Sequence, residues 1–343
     1  MTEPTSSQSN NQPPQVVVNV PDQNKGGWKW RLLMFVLFIS ILFNLEMLAV
    51  NTTLNTETAS VQETHHSGDK NAESKIVRIV VSGTIMAPFT EQVIDSIEEA
   101  ARKKDVKGVL LVVDSPGGLV TDSHQIYHQL KKLSEKKPVY VSMKDMAASG
   151  GYYVSMGAGP KGKIYAEPTT WTGSIGVILP RYNAQEMAQK LGVEPEPIRT
   201  GPLKGSLSPF RDMTEEERLV WNEIIDDSFQ RFLSVIADNR ENLDKAKVEE
   251  LATGQVYTAS QALANGLVDE IGFEEEALAA LQKELGLQKV NVVTYSGPPT
   301  LLDVLMGSAQ ANSAEDQWRS LMELTVPKAM YYCSWMPLAP MTR

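Results

Sequence analysis

The middle of the chain alternates short apolar runs with longer amphipathic segments. The runs Ile76–Val81, Val109–Val113 and Val139–Met143 are typical of buried strands, whereas Glu91–Lys103 and Thr121–Lys136 have the apolar spacing of helices. Strands that alternate with helices form a sheet with substantial parallel character and helices packed on it. The pattern therefore predicts an α/β fold whose functional groups gather at strand ends.

The second half of the chain continues this alternation around one long helix. Thr214 begins a capping box, which predicts a helix that runs to about Arg240. A strand and a helix are expected within Gln255–Asn265, and a last strand over Val290–Thr294. The Gly-Pro-Pro sequence at 297–299 then predicts the end of the domain.

An apolar run near the amino terminus has a different character. It extends from Leu32 to Val50, close to the roughly 20 residues that cross a bilayer. Lys25, Lys29 and Arg31 precede it, so the positive-inside rule predicts a cytoplasmic amino terminus. We therefore expect a single-pass signal anchor in the cell membrane, with the rest of the chain extracytoplasmic, in the periplasm or outside the cell. A cleaved signal peptide and a buried core helix are the disfavoured alternatives.

Composition suggests how the remaining residues are organised. Residues 1–27 are rich in polar side chains and predict a disordered cytoplasmic tail, followed by the anchor over 28–50. Residues 51–75 predict a solvated extracytoplasmic stalk. The folded domain is expected over 76–296, and residues 297–343 form a tail predicted to contact a second subunit or the functional site.

Charge and cysteine content exclude several classes of protein. The net charge of -10 and the pI near 5.1 argue against nucleic-acid binding, because phosphate contacts need clustered Lys and Arg. Cys333 is the only cysteine, so an intramolecular disulfide and a cysteine-rich metal site are both excluded. We expect Cys333 to be a small apolar residue, with an intersubunit disulfide as a remote alternative. No metal and no other cofactor is expected.

A serine after the third predicted strand is the best candidate for chemistry. Ser149 precedes two glycines, and all four histidines of the chain lie before it. A nucleophilic serine needs a neighbouring base, and the most suggestive one downstream is Lys204, which lies among Gly, Pro, Leu and Ser. An amine with an ordinary pKa of about 10.4 must be buried before it can act as a base at neutral pH. The pair predicts a Ser/Lys hydrolase, with a helix cap and a solvated loop lysine as the structural alternatives.

Glycines near Ser149 predict an oxyanion hole. Gly150 lies where a helix begins, so its amide can point at a carbonyl oxygen with support from the helix dipole. A second donor is expected from Gly117 or Gly118, because a Pro-Gly-Gly turn at a strand end exposes backbone N–H groups. A plain β-turn is the alternative interpretation of that sequence.

Two histidines are candidate zinc ligands. His124 and His128 are four residues apart on a predicted helix, a spacing that can bind zinc. The zinc-protease motif needs Glu after the first histidine, but Gln125 stands there. A solvated helix surface is therefore expected. A histidine that reaches Ser149 in space stays an alternative, because sequence order does not forbid a triad.

Four segments of the chain carry a family pattern: Val112–Gly118, Pro138–Tyr153, Thr172–Val177 and Thr200–Arg218. In this order they resemble the bacterial signal peptide peptidase A family, and the similarity extends from about residue 76 to 294. The resemblance implies a fold of the Clp-protease and crotonase type, anchored in the membrane, and an enzyme that degrades signal peptides after their release by signal peptidase.

The same resemblance implies a role for each site residue. Ser149 corresponds to the nucleophile and Lys204 to the general base, while Gly118 corresponds to the family's oxyanion-hole glycine with Gly150 as its partner. Ser174 is a candidate to orient Lys204 by hydrogen bonding. The family forms dome-like rings in which neighbouring subunits help to complete the sites, so a homo-oligomer is implied.

Two other functions remain as alternatives. A non-proteolytic scaffold of the same fold would bind membrane peptides without cutting them. A crotonase-like acyl-CoA enzyme would share the oxyanion-hole chemistry, but it should be cytosolic, which the predicted anchor disfavours. For the peptidase we expect extended substrates, apolar around the cleaved bond, because an extended peptide can pair with a strand edge.

Overall fold

The computed structural model describes the amino-terminal apolar segment in part, the central domain and a short carboxyl-terminal strand. The described residues are 30–41, 44, 61–297 and 330–332. They belong to two units, Met1–Ala59 and Ser60–Arg343.

The first unit contains helix α1 over residues 30–41. Within the described parts of the chain, no helix is both long enough and apolar enough to cross a membrane. The remainder of the anchor expected over 28–50, apart from residue 44, lies outside the described residues. The anchor therefore stays a prediction, as do the tail over 1–27 and its cytoplasmic location.

The strands described in the second unit form one sheet. Their bounds are β1 Gln62–Gly68, β2 Lys75–Ile85, β3 Val106–Leu119, β4 Val139–Ala148, β5 Ile164–Ala166, β6 Trp171–Gly173, β7 Val256–Thr258, β8 Glu270–Ile271, β9 Asn291–Ser296 and β10 Met330–Tyr332. The main path runs β1-β9-β2-β3-β4-β5-β8, with β6 between β4 and β7 and with β10 beside β3.

Helices cover both faces of this sheet. Their bounds are α2 Phe89–Arg102, α3 Val120–Ser134, α4 Gly150–Ser155, α5 Gln185–Lys190, α6 Glu215–Asn239, α7 Lys245–Leu251, α8 Ala259–Ala264 and α9 Glu274–Glu284. The expected capping box at Thr214 is present, because its hydroxyl accepts from the Glu217 amide while the Glu217 carboxylate accepts from the Thr214 amide.

The sheet is parallel from β9 through β2, β3, β4 and β5 to β8, and antiparallel only where β1, β7 and β10 join it. Parallel strands need crossover connections, which α2 and α3 supply between β2, β3 and β4. The α/β class predicted from the alternating pattern is therefore confirmed. The carboxyl ends of β3 and β4 lie side by side, which places the predicted site segments together.

Alternation along the strands divides the core into two layers. On β2, Val77 and Ile79 belong to the larger layer, whereas Ile76 belongs to the smaller one. The larger layer includes Phe232 of α6, and the smaller layer includes Leu281 of α9. Both faces of the sheet are thus covered, as expected for parallel strands with continuous apolar runs.

Two predicted boundaries differ from the structure. Part of the stalk expected over 51–75 forms the edge strand β1. Most side chains of β1 are exposed, so its sequence is polar and lacks the apolar alternation that would have predicted a strand. Strand β3 also continues past Val113, through the Pro-Gly-Gly sequence to Leu119, instead of ending in a turn. It does so because a register shift after Val113 absorbs the irregular residues and β10 pairs with the extension.

Phe232 of α6 is fully buried in the larger layer, so its replacement measures how far the packing of α6 on the core stabilises the fold. We expect Phe232→Ala to lower the free energy of unfolding by about 3–5 kcal/mol, because it leaves a cavity that neighbours cannot fill. Leu263→Ala, at an exposed position of α8, serves as the control and should change it by less than about 1 kcal/mol. Chemical denaturation of the purified variants measures both, and equal small losses would contradict this packing.

Candidate active site

Ser149 occupies a sharp turn between strand β4 and helix α4. Its backbone angles are φ 55 and ψ −112, a conformation that costs a non-glycine residue about 1–3 kcal/mol. Two backbone hydrogen bonds hold the turn: the Ser149 amide donates to Gly173 O at 2.7 Å, and the Tyr153 amide donates to Ser149 O at 2.8 Å. A strained strand-to-helix turn is also the setting of known nucleophilic serines.

The hydroxyl of Ser149 is buried and unpaired. The residue is 1% exposed, and its Oγ has no hydrogen-bond partner within the described parts of the chain. Burial of an unsatisfied hydroxyl is unfavourable in the resting protein. Together with the backbone strain, it makes Ser149 a strong candidate for function.

Two glycine amides lie close together beside Ser149. A Cβ atom on Gly150 would lie 3.0 Å from the Gly118 amide nitrogen, and one on Gly117 would lie 2.7 Å from the Gly150 amide nitrogen. The end of β3 and the start of α4 are thus in direct contact, and Ser123 Oγ of α3 lies beside them, 2.7 Å from the same Cβ position on Gly150. The predicted oxyanion-hole residues are brought to one place, next to the serine.

The amide of Gly117 already has a partner. It donates to Ser115 Oγ at 3.1 Å, and the same hydroxyl donates to Gly83 O at 2.6 Å. Gly117 is therefore the weakest of the three predicted donors, and Gly118 and Gly150 remain. Ser115, which is fully buried, was missed from the sequence because it gave no signal apart from its place before Pro116.

Lys204 is not joined to Ser149 in the single chain. Its side chain is exposed in the loop before α6, and its ammonium group forms no hydrogen bond with the unpaired Ser149 Oγ. Ser174 lies nearer, because it directly follows Gly173, which accepts from the Ser149 amide. Ser174 also has a positive φ of 50. The dyad and the orienting role of Ser174 stay predictions.

The carboxyl-terminal strand β10 lies along the predicted oxyanion-hole segment. Tyr331 pairs with Gly118 in an antiparallel register, and Met330 pairs with Leu119. On its other side, Met330 forms two backbone hydrogen bonds with Ile178, at 2.9 and 3.0 Å. An extended peptide therefore fits between β3 and the segment after β6.

The side chain of Tyr331 fills an aromatic pocket next to the site. Its ring stacks on Tyr153 with 4.8 Å between centroids and lies 4.7 Å from Phe232. Its hydroxyl donates to Ser228 O at 2.8 Å. Burial raises the pKa of both tyrosine hydroxyls, so they remain protonated donors. Sequence reasoning missed this pocket, because its members are far apart in the chain.

The two histidines of α3 differ in environment. His128 is exposed as expected, but His124 is half-buried, and its Nδ1 lies 2.7 Å from the Tyr153 hydroxyl. That contact corrects the expectation of a fully solvated helix face, and it occurs because α3 packs against α4. Over the residues that the structure describes, no cluster of three or more possible metal ligands is found.

His124 should make stability depend on pH. Burial, followed by the nearby Arg231 and His128, lowers its pKa below the ordinary 6.5. Its stabilising contribution is therefore present above the ordinary pKa and is lost as pH falls through the lower folded value. We predict that the melting temperature of the wild type falls more than that of His124→Gln between about pH 8 and about pH 5. The exposed His128→Gln control should keep the wild-type slope, and equal slopes for all three proteins would contradict the prediction.

Comparison with known proteins assigns the family. The model of peptidase family S49 matches residues 131–288, and that of the Clp protease family matches residues 65–194. A protein of Enterococcus faecium, provisionally named signal peptide peptidase SppA, is 34% identical over 316 residues, which are 84% of this chain and 89% of that protein. The arrangement described above is therefore that of a serine protease with a Clp-protease-like α/β fold.

The chain belongs to peptidase family S49, the family of signal peptide peptidase A. A Synechocystis protein, provisionally named protease slr0021, is 41% identical over 239 residues, covering 69% of this chain and 84% of that protein. The chloroplastic serine protease SPPA of Arabidopsis thaliana is 33% identical over 261 residues, covering 73% of this chain and 38% of that longer protein. The resemblance found in the sequence motifs is confirmed.

Proposed function

We propose that this chain is a membrane-anchored serine endopeptidase that degrades released signal peptides and similar apolar peptides. Ser149 is the nucleophile, Lys204 is the general base, and the working form is a homo-oligomer. The observation that carries the proposal is the strained turn at Ser149, where a buried and unpaired hydroxyl lies beside the amides of Gly118 and Gly150.

The chemistry follows from these groups. Ser149 Oγ attacks the peptide carbonyl carbon while Lys204 Nζ takes its proton, and the amides of Gly118 and Gly150 hold the negative oxygen. The lysine then returns the proton to the leaving amine, which breaks the C–N bond and leaves an acyl-enzyme. Lys204 next deprotonates water, whose attack releases the acid and restores the serine. No step requires a cofactor.

Strand β10 supports the expectation of extended, apolar substrates. It adds to the edge of β3 by backbone pairing, as peptides do in other β-augmentation sites. An open depression of about 490 Å³ begins at Val177, the residue before Ile178, and apolar Ile225 and Phe229 line it together with polar Asn222, Asp226 and Thr253. A substrate that took the place of β10 would pair its backbone with β3 and place an apolar side chain in the aromatic pocket that Tyr331 occupies.

The exposed position of Lys204 supports an oligomer. The segment around it, residues 181–212, also carries large apolar side chains in contact with solvent, an arrangement that usually marks a protein–protein interface. Burial of that segment by a second copy would take the lysine out of water and bring it to a serine. The exposed apolar side chains are Tyr182, Met187, Leu191, Val193, Ile198 and Phe210.

A serine-directed probe tests the assignment of the nucleophile. We expect a fluorophosphonate to label the wild-type full-length protein in detergent on Ser149, as located by peptide mass spectrometry. Ser149→Ala should show no label and no cleavage of an apolar peptide. Ser155→Ala is a matched control, because Ser155 is also buried in α4 and, within the described residues, its hydroxyl donates only to the Gly151 carbonyl. Labelling of the Ser149→Ala protein, or cleavage by it, would refute the proposal.

The non-proteolytic scaffold is the second candidate, and one observation favours it. Lys204 lies in solvent and does not contact Ser149 in the single chain. A scaffold would bind an apolar peptide in the groove of β10 and leave it intact. Incubation of the assembled protein with such a peptide separates the two functions: the appearance of cleavage products supports the peptidase, and saturable binding without products supports the scaffold.

A further inference from the structure

The loop that carries Lys204 consists of consecutive turns. The Lys204 amide donates to Gly201 O at 3.4 Å, and the Ser206 amide donates to Leu203 O at 3.1 Å. Gly201 and Gly205 have φ of 77 and 94, which suits tight turns. The loop is mostly exposed and buries little apolar surface of its own, so contacts from outside must fix its shape.

Side chains from before and after the loop in the sequence form hydrogen bonds with Lys204 and with the two residues that follow it. Trp221 of α6 donates from Nε1 to Ser206 Oγ at 2.8 Å, and Ser206 is buried although Lys204 and Gly205 before it are exposed. Arg211 donates from Nη2 to Gly205 O at 3.1 Å. Arg199 donates from Nη1 to the carbonyl of Lys204 itself at 3.3 Å. Each of the residues 204–206 is thus held by a side chain, the first two through their carbonyl oxygens and Ser206 through its hydroxyl.

Arg211 is in turn fixed to the start of α6. It forms a bidentate ion pair with Glu217, one arm of which measures 2.9 Å, and Glu217 is buried within the capping box of that helix. The hydrogen bonds from Arg211, followed by that from the Thr214 amide, lower the pKa of Glu217 to about 2. The pair is therefore ionised at neutral pH. Helix α6 acts as the rigid support of the loop.

A surface loop without a catalytic role does not need hydrogen bonds that fix three successive residues. An exposed lysine on a mobile loop would reach a serine in many orientations, and a displacement of about 1 Å can cost about 10²-fold in rate. We propose that Trp221 and Arg211 are positioning residues, which fix the loop so that Lys204 is presented to the reacting serine in one orientation. The inference rests on the proposed function, because it assigns Lys204 the role of general base.

Trp221→Phe is the cleanest test, because it removes the indole N–H and keeps an aromatic ring. Substitution of Arg211 would also break the pair with Glu217 and weaken α6. We expect Trp221→Phe to lower kcat of the assembled full-length enzyme about 10-fold or more with KM changed less than about 3-fold. Fluorophosphonate labelling of Ser149, which requires the base but no bound peptide, should slow in the same proportion.

Substitutions of Ser206 test the same hydrogen bond from the side of its acceptor. Ser206→Ala should reproduce the loss, the double variant with Trp221→Phe should be no slower than either single variant, and Ser206→Thr should restore most of kcat. Tyr140→Phe is the matched control, because it also removes one ring donor, from a bond with Glu284 of α9 on the other sheet face. Its kcat and labelling rate should equal those of the wild type.

The outcomes distinguish a failure of the positioning role from a failure of Lys204 as the general base. If Lys204→Ala is inactive but Trp221→Phe keeps the wild-type kcat, the positioning role is overturned and the dyad stands. If Lys204→Ala keeps its turnover, the assignment of the base fails and the positioning role fails with it. Additive losses in the double variant, or a loss of rate explained by a smaller oligomer in light scattering, would also overturn the inference.

Discussion

Lys204→Ala lowers kcat/KM for an apolar peptide by at least about 10³-fold if the dyad operates, because Ser149 then has no base to take its proton. Binding should persist, since the groove between β3 and Ile178 does not involve the lysine. Steady-state cleavage of a fluorogenic peptide by the purified full-length protein measures the loss. Labelling by a fluorophosphonate should fall in parallel.

Lys190→Ala provides the matched control for that variant. Lys190 is an exposed lysine at the end of α5, within the same exposed apolar segment, so its removal changes net charge by the same amount. We expect its kcat/KM to stay within about 3-fold of the wild type. A value for Lys204→Ala equally close to the wild type would show that Lys204 is not the catalytic base, whereas an equally large loss in Lys190→Ala would attribute the effect to the removed charge.

Gly118→Ala has the second largest expected effect. A Cβ at this position would lie 2.0 Å from the carbonyl oxygen of Ile85 on β2, so the backbone of β3 must move. The displaced amide can no longer hold the oxyanion, and the loss of one such donor costs about 10²–10³-fold in kcat. We expect a loss of at least that size, together with slower labelling of Ser149 and a lower melting temperature.

Gly272→Ala is the matched control for Gly118→Ala, because it adds the same methyl group to a glycine outside the predicted oxyanion hole. A Cβ at Gly272, before α9, would lie 3.3 Å from the ring of Tyr165, a contact that a small adjustment relieves. We expect nearly wild-type kcat for this variant. If Gly118→Ala retained full turnover as well, the assignment of its amide to the oxyanion hole would be wrong.

Much of the fold was predictable from local pattern. The apolar runs of β2, β3 and β4 are buried on both faces, so they needed no alternation to be recognised as strands. The long helix α6 was predicted within one residue at its start, because the Thr214 capping box is a local interaction. Edge strand β1 was not predictable in this way, because its stability comes from backbone pairing with β9 far along the chain.

The site was predictable only in part, for a related reason. Ser149 follows the carboxyl end of β4, the glycines lie near the carboxyl end of β3, and parallel strands bring such ends together. The contacts of Ser115, the aromatic pocket of Tyr331 and the support of the Lys204 loop by α6 depend on side chains from distant segments. The family resemblance predicted which groups react, but no sequence spacing indicates which residues hold those groups in position.

The separation between Lys204 Nζ and Ser149 Oγ in an experimental structure of the assembled oligomer tests the central claim most directly. We predict about 2.6–3.2 Å between the two atoms, within one chain or across an interface, with the amine removed from solvent. A lysine that remains in solvent and beyond hydrogen-bond reach of every serine at position 149 would contradict the account.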